Sequence, residues 1–407
     1  MRAIIFSTIV AMVLSPAIET LAEPRLPEKV QAALESWLAE RAPIEKATGI
    51  AAYVSFGDPG PAIEAFAGKV GRAPNDPSVS QDTLFQMGST SKSFATAVIL
   101  KLEAVGKLSL DDTIGRWLPE YPAWSDVTIR RLLNMSSGIP NYSETQAISR
   151  IWMEEPNRTL SAQDLVNLAY PSATNNLQPT TGYHYSNTNY ILAGMIAAKA
   201  AGKPYRDLVH ELVLVPFGLS STFYEEGPYP AEIVARLAHG YFENPVCSDY
   251  QPKDCKVPWN QPIIGRDMRT GNASWAQAAG GAISNARDVN RWMRAVFAGR
   301  VVPQRQQVEW LSLISLKTGT PIRDVSTADP AGFSLGLVRA IEGPAGPLWF
   351  YEGTTLGYRT FYMWYSEANL MITLQTNSQP PQGKDKIGDA AAAIYESVKP
   401  ERPKASP

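Results

Sequence analysis

The segment Ser93 to Val105, SFATAVILKLEAV, constrains the fold of this chain more than any other. Its pattern predicts a helix that Gly106 stops, and that helix is apolar nearly all the way round. A helix without a polar stripe has no face to give to water, so it belongs at the centre of a molecule. The chain has the material to surround it: 407 residues, 44% of them hydrophobic. At ~150 residues per domain, that length suggests two or three lobes. The charge is nearly balanced, 37 Lys+Arg against 39 Asp+Glu, and no basic face or Lys/Arg run appears. These features argue against nucleic acid or an anionic membrane as a partner.

The elements on either side of the central helix suggest what encloses it. Glu28 to Arg41 carries Val30, Ala33, Leu34, Trp37 and Leu38 at helical spacing. Ile50 to Phe56 and Ala62 to Val70 flank an Asp58-Pro59-Gly60-Pro61 turn and predict a hairpin. From about Leu108 to about Asn272 the chain runs through helical segments and Pro-rich loops, with Ile191 to Ala201 the clearest helix. After Ala278 come a helix at Ala286 to Phe297, capped by Ser284 or Asn285, and β-like runs at Phe333 to Ala340, Tyr358 to Tyr365 and Leu370 to Thr376. A helix at Ile387 to Val398 follows. The order fits an α+β lobe built from both chain ends (23–107 and 273–400), a helical lobe inserted at 108–272, and a flexible tail at 401–407.

The first residues point to export. Arg2 precedes an apolar run from Ala3 to Leu14, and Thr20-Leu21-Ala22 offers a small-residue cleavage site before Glu23. The run is broken by Pro16 and falls short of the ~20 residues that span a bilayer. Residues 1–22 are expected to be a cleaved signal, leaving a periplasmic or secreted protein with no membrane-spanning segment. The only cysteines, Cys247 and Cys255, match no metal or redox spacing and are expected to form one local disulfide. With three histidines (His184, His210 and His239) and no HExxH, no metal or other cofactor is expected.

Two short stretches carry chemistry. Phe85-Gln86-Met87-Gly88-Ser89-Thr90-Ser91-Lys92 places a serine at the start of the central helix and a lysine one turn later. Residues three apart share a helix face, so the Lys92 amine can reach the Ser89 hydroxyl. A helix cap accounts for the serine, but it leaves unexplained a cation at the positive end of the helix dipole. A site that needs a lysine of depressed pKa accounts for both. Further on, Tyr183-His184-Tyr185-Ser186-Asn187 leads into the Ile191 helix. Tyr185 and Asn187 there are either a packed aromatic and a cap, or a phenol and an amide projecting together into a cleft.

Taken together, FQMGSTSKSF and YHYSNTNY resemble the first two motifs of the serine β-lactamase-like and penicillin-binding hydrolases, which include class C β-lactamases, D-alanyl-D-alanine carboxypeptidases, D-aminopeptidases and related esterases. LLNMSSGIPNY (132–142), LAHGY (237–241), the AAGGAISNARDVNRW run (278–292) and EGTTLGYRTFY (352–362) extend the resemblance, in the family's order, over most of the chain after the signal. It implies an antiparallel sheet flanked by helices, an acyl-enzyme on Ser89, Lys92 as activating neighbour and Tyr185 as base or proton shuttle. Asn187 would contact the substrate carbonyl, and the backbone N–H groups of Ser89 and of Thr354, after Gly353, would form the oxyanion hole.

The third motif departs from the family. A literal Lys317-Thr318-Gly319 is followed two residues on by Pro321, which suits no central strand. Alignment instead puts Tyr351 where the family has a cation, and Glu352 where it has a small residue. The missing cation disfavours a Tyr185 phenolate, and a Glu352 anion beside the site would repel a substrate carboxylate by ~4 kcal/mol or less. The expected substrate is therefore an ester or amide without a free C-terminal carboxylate. D-alanyl-D-alanine carboxypeptidase or β-lactamase activity is the alternative, and an inactive peptide-binding module is a second. Met135 stands where relatives often carry histidine in LL-x-H-x-SG, a position expected to be structural.

Overall fold

The computed structural model describes residues 25–172, 179–244, 263–341, 343 and 346–399. The expected signal at 1–22, the Cys247–Cys255 disulfide and the tail at 401–407 lie outside the described residues.

Nine strands form one sheet in which every neighbouring pair is antiparallel. In chain order they are β1 Gly49–Phe56, β2 Ala62–Gly68, β3 Leu313–Ser315, β4 Pro321–Ile322, β5 Ala331–Phe333, β6 Val338–Ala340, β7 Leu348–Thr355, β8 Tyr358–Tyr365 and β9 Leu370–Thr376. In space they run β2-β1-β9-β8-β7-β6-β5-β3-β4. The N-terminal hairpin therefore joins the C-terminal strands through β1 and β9, from Ile50↔Thr376 to Phe56↔Leu370. The architecture is α+β. The expected run Phe333 to Ala340 is two strands rather than one, because Gly336 (φ +84°) reverses the chain and Ser334 N–H bonds to Leu337 O at 2.9 Å.

Helices cover both faces of this sheet. On the outer face, α1 (Leu26–Glu45) and the C-terminal helix Ile387–Val398 bury Val30, Leu34, Trp37, Ile387, Ala391 and Ile394 against Ile50, Phe361 and Ile372. On the inner face lie α2 (Lys92–Ala104), α3 (Asn187–Ala201) and α4 (Ala286–Phe297). The Asn285 side chain caps α4 by accepting from Asp288 N–H, and Gly202 ends α3 in the left-handed region.

The largely apolar α2 is enclosed as its composition demands, with Phe94 to Leu100 buried without a break. Phe94 meets the edge of Trp292 at 5.3 Å, and Trp292 Nε1–H donates to Ser93 Oγ at 2.8 Å. One apolar cluster runs from α2 and α3 to Trp292 and on to Trp349, Tyr351 and Tyr362 of the sheet, so the two expected lobes share a core. Among the described residues of 108–272, none joins the nine-stranded sheet.

Candidate active site

The site forms where α2, α3 and β7 converge. Ser89 lies in a 3₁₀ turn, Gly88–Ser91, that feeds directly into α2 at Lys92. Phe85–Gln86 pairs antiparallel with Ile283–Ser284, which draws the serine turn against the segment carrying Ala279. Lys92 is fully buried, and its Nζ donates to Ser89 Oγ (3.0 Å), Asn187 Oδ1 (2.7 Å) and Ala279 O (2.6 Å). Ser89 Oγ lies 2.5 Å from Tyr185 Oη. Asn187, the first residue of α3, also donates from Nδ2 to Ser143 Oγ at 2.9 Å.

The electrostatics follow from burial and from these partners. Burial pulls the Lys92 amine below its ordinary pKa, against the pull of the Tyr185 phenol. Burial pushes Tyr185 up, yet the Lys92 charge, with hydrogen bonds from Lys92, Ser89 and Tyr351, outweighs it and holds the phenol below its ordinary value. Burial, and then the neighbouring Tyr185, raise Tyr351 well above the ordinary phenol range. Tyr351 therefore stays a neutral donor toward Tyr185. The expected loss of support for a Tyr185 phenolate is in part made good by this hydroxyl.

The backbone of β7 presses against the serine turn. A Cβ on Gly353 would lie 2.0 Å from Met87 O and 2.8 Å from Ser89 N, and a Cβ on Gly88 (φ +53°) would lie 2.6 Å from Thr354 N. Only glycines allow this approach, and it brings the backbone amides of Ser89 and Thr354 close together.

Glu352 is a correction to the sequence reading. Neighbours on a strand face opposite sides, and Glu352 pairs across to Phe361, whose ring belongs to the outer-face cluster under α1. Its carboxyl accepts from Thr354 Oγ1 at 3.3 Å and lies beside Asp385. Burial, then the charge and hydrogen bond of Asp385, push its pKa up to about 8. The group turns away from Tyr185 and repels nothing bound in the cleft.

Lys317-Thr318-Gly319 forms the turn between β3 and β4, with Lys317 exposed. A Cβ on Gly319 (φ +72°) would come within 2.4 Å of Tyr183 N, so this turn braces the loop that carries Tyr185.

Some contributors have no counterpart in the sequence reading. Ala279 supplies a carbonyl, which no residue type announces. Asn141 Oδ1 accepts from Asn187 N–H at 3.0 Å, and Ser143 holds the Asn187 amide. Both lie in or just beyond the LLNMSSGIPNY stretch, the one signal that could have found them.

A family model described as beta-lactamase matches residues 49–396. A penicillin-binding protein of Bacillus subtilis (strain 168) is 26% identical over 315 residues, 77% of this chain and 65% of that protein. The chain spans 36% to 65% of the length of the first three curated relatives it matches. Among solved structures, a D-stereospecific amidohydrolase from Streptomyces sp. superposes with TM-score 0.71 at 25% identity, over 91% of this chain and 98% of that one. D-amino acid amidase from Ochrobactrum anthropi SV3, complexed with L-phenylalanine amide, gives TM-score 0.73 at 23% identity over 92% and 98%, a likeness of fold.

Proposed function

Given that the chain belongs to the β-lactamase family, we propose that it is a serine hydrolase that cleaves an ester or amide lacking a free C-terminal carboxylate, through an acyl intermediate on Ser89. The observation that carries this reading is the convergence of Lys92 Nζ at 3.0 Å and Tyr185 Oη at 2.5 Å on one serine hydroxyl. Each of the three Lys92 N–H bonds has its own acceptor, an arrangement suited to an ammonium that keeps its protons. Tyr185 is then the base. It takes the proton from Ser89 Oγ as that oxygen bonds to the substrate carbonyl carbon, and the Ser89 and Thr354 amides receive the developing oxyanion. As the bond to the leaving oxygen or nitrogen breaks, Tyr185 passes it the proton. Water enters by the same route: Tyr185 takes its proton, the hydroxyl adds to the acyl carbon, and Ser89 leaves with the proton returned.

The substrate preference rests on Tyr351. A neutral phenol stands where the resemblance expects a cation, so a substrate carboxylate loses that partner. Glu144 is exposed and tethered by Asn141 Nδ2 at 2.8 Å, and Asn141 in turn holds the backbone of Asn187. Its charge near the carbonyl-binding amide suits a substrate that carries an amine, as an amino-acid amide does.

The test compares kcat/KM for a neutral p-nitrophenyl ester, D-phenylalanine amide and a D-Ala-D-Ala peptide, alongside fluorophosphonate labelling of wild type and Ser89→Ala. Serine-dependent labelling with the ester or amide ahead of the peptide is expected. Faster carboxypeptidation than ester or amide cleavage overturns the substrate class. Wild-type protein silent to every probe overturns the enzyme reading in favour of a binding module.

A further inference from the structure

One residue outside the reacting set contacts the loop that delivers Tyr185 on both sides of the phenol. Met135 follows the short helix Ile129–Leu133, is fully buried, and has φ +62°, a left-handed conformation that a side-chain-bearing residue adopts only under constraint. In that conformation its carbonyl accepts from His184 N–H at 2.9 Å, and its Sδ accepts from Ser186 N–H at 3.3 Å. These are the backbone amides immediately before and after Tyr185. Asn189 Nδ2, one turn into α3, also points at the sulfur, at 3.5 Å. A thioether is a weak acceptor, and a buried backbone N–H normally finds an oxygen. Both flanks of the phenol therefore end on a single side chain and its carbonyl.

We propose that Met135 is a positioning residue for Tyr185, fixing through its carbonyl and its thioether the two amides that flank the phenol, and with them the height of Tyr185 Oη over Ser89 Oγ. The inference rests on the reading of Tyr185 as proton carrier. It differs from simple core filling in what it requires of the side chain: an acceptor atom at the Sδ position, not only its volume. Leucine fills nearly the same space without an acceptor, whereas histidine and glutamine return one as nitrogen or oxygen.

The experiment measures kcat, KM and the pH–rate profile on a neutral p-nitrophenyl ester for Met135→Leu, Met135→His, Met135→Gln and Tyr185→Phe, with thermal unfolding of each. Met135→Leu is expected to lose about tenfold in kcat with KM within about twofold, since a small misplacement of a reacting group acts on the chemical step. The acid limb of its profile moves to higher pH, as a phenol displaced from Lys92 ionises less readily. Met135→His or Met135→Gln recovers most of both. Met135→Leu at wild-type kcat with an unmoved acid limb overturns the proposal, whatever its melting temperature. Where Met135→Leu does not fold, a folded Met135→Gln as slow as Tyr185→Phe overturns it, and one within about threefold of wild type supports it. Tyr185→Phe at wild-type kcat overturns this inference together with the mechanism it rests on. An inactive Tyr185→Phe beside an unaffected Met135→Leu overturns this inference alone.

Discussion

Tyr185 and Glu352, two acidic groups shifted in opposite directions, lie toward opposite faces of β7. The phenol is held below its ordinary pKa chiefly by the Lys92 charge, against burial; the carboxyl is held above by burial and by Asp385. The second has a consequence for stability. The folded chain binds the Glu352 proton up to about pH 8, whereas an unfolded carboxyl releases it near the ordinary value of 4.5. Stability attributable to Glu352 is therefore intact below 4.5, falls as pH rises through that window, and is fully lost above about 8. Asp385, held below its ordinary value of 3.8, contributes stability that is lost only as pH falls below that value, outside this window. Glu352→Gln removes the titration and keeps the shape. Its melting temperature is expected to match wild type at pH 5 and to exceed it at pH 9, with the gap opening between them. A constant gap across that range would show that Glu352 does not titrate in the fold.

At the scale of elements, the decisive contact is that of β7 with the Gly88–Ser91 turn. Gly353→Ala puts a methyl 2.0 Å from Met87 O, which only a shift of strand or turn relieves. Such a shift separates the Ser89 and Thr354 amides, and losing one oxyanion donor costs about 10²–10³ in kcat. Gly353→Ala is expected to lose kcat on that scale while KM changes far less; a variant within twofold of wild type would remove these amides from the mechanism. How much of this was readable depended on the type of element. The α4 and C-terminal helices were readable to the residue, because apolar spacing and, for α4, a capping Asn285 mark them. The β8–β9 hairpin was equally legible from its apolar runs and the Ser366–Asn369 turn between them. β7 was not, because LWFYEGTT mixes an inward Tyr351 and Gly353 with an outward Glu352 and Thr354 that are also half-buried, so no polar face stands out. The helices Ile114–Trp117 and Ile129–Leu133 are too short to show a period at all. Within the site, side chains in contiguous motifs were legible. The Ala279 carbonyl was not, since it reaches Lys92 across 187 residues of sequence and any residue type supplies it.

On the scale of the whole molecule, the two ends of the chain meet in the sheet through β1 and β9, and one side chain ties those ends together. Arg359 on β8 is fully buried and donates to Glu45, the last residue of α1, at 2.7 Å. It also donates to Asp385, ahead of the C-terminal helix, at 2.5 Å, and to Ser378 O at 2.8 Å. Glu45 is likewise fully buried and has one further partner among the described residues, Arg41 at 2.8 Å. A guanidinium suits this place because its fixed fork serves acceptors on three residues at once, whereas an ammonium would not span them. Since Arg359 lies opposite Thr354 in the ladder, the same anchor supports the strand that meets Ser89. Replacing it by methionine leaves the Glu45 charge buried with half its compensation, a situation that costs about 3–5 kcal/mol. Arg359→Met is expected to lose stability of that order in urea unfolding. The double variant with Glu45→Leu should recover part of it, because the fully buried of the two stranded carboxylates is then gone while Asp385 remains. If the single variant loses less than about 1 kcal/mol, or the double is no better than the single, the outer helices are held by their apolar contacts alone and the buried arginine is not what joins the chain ends.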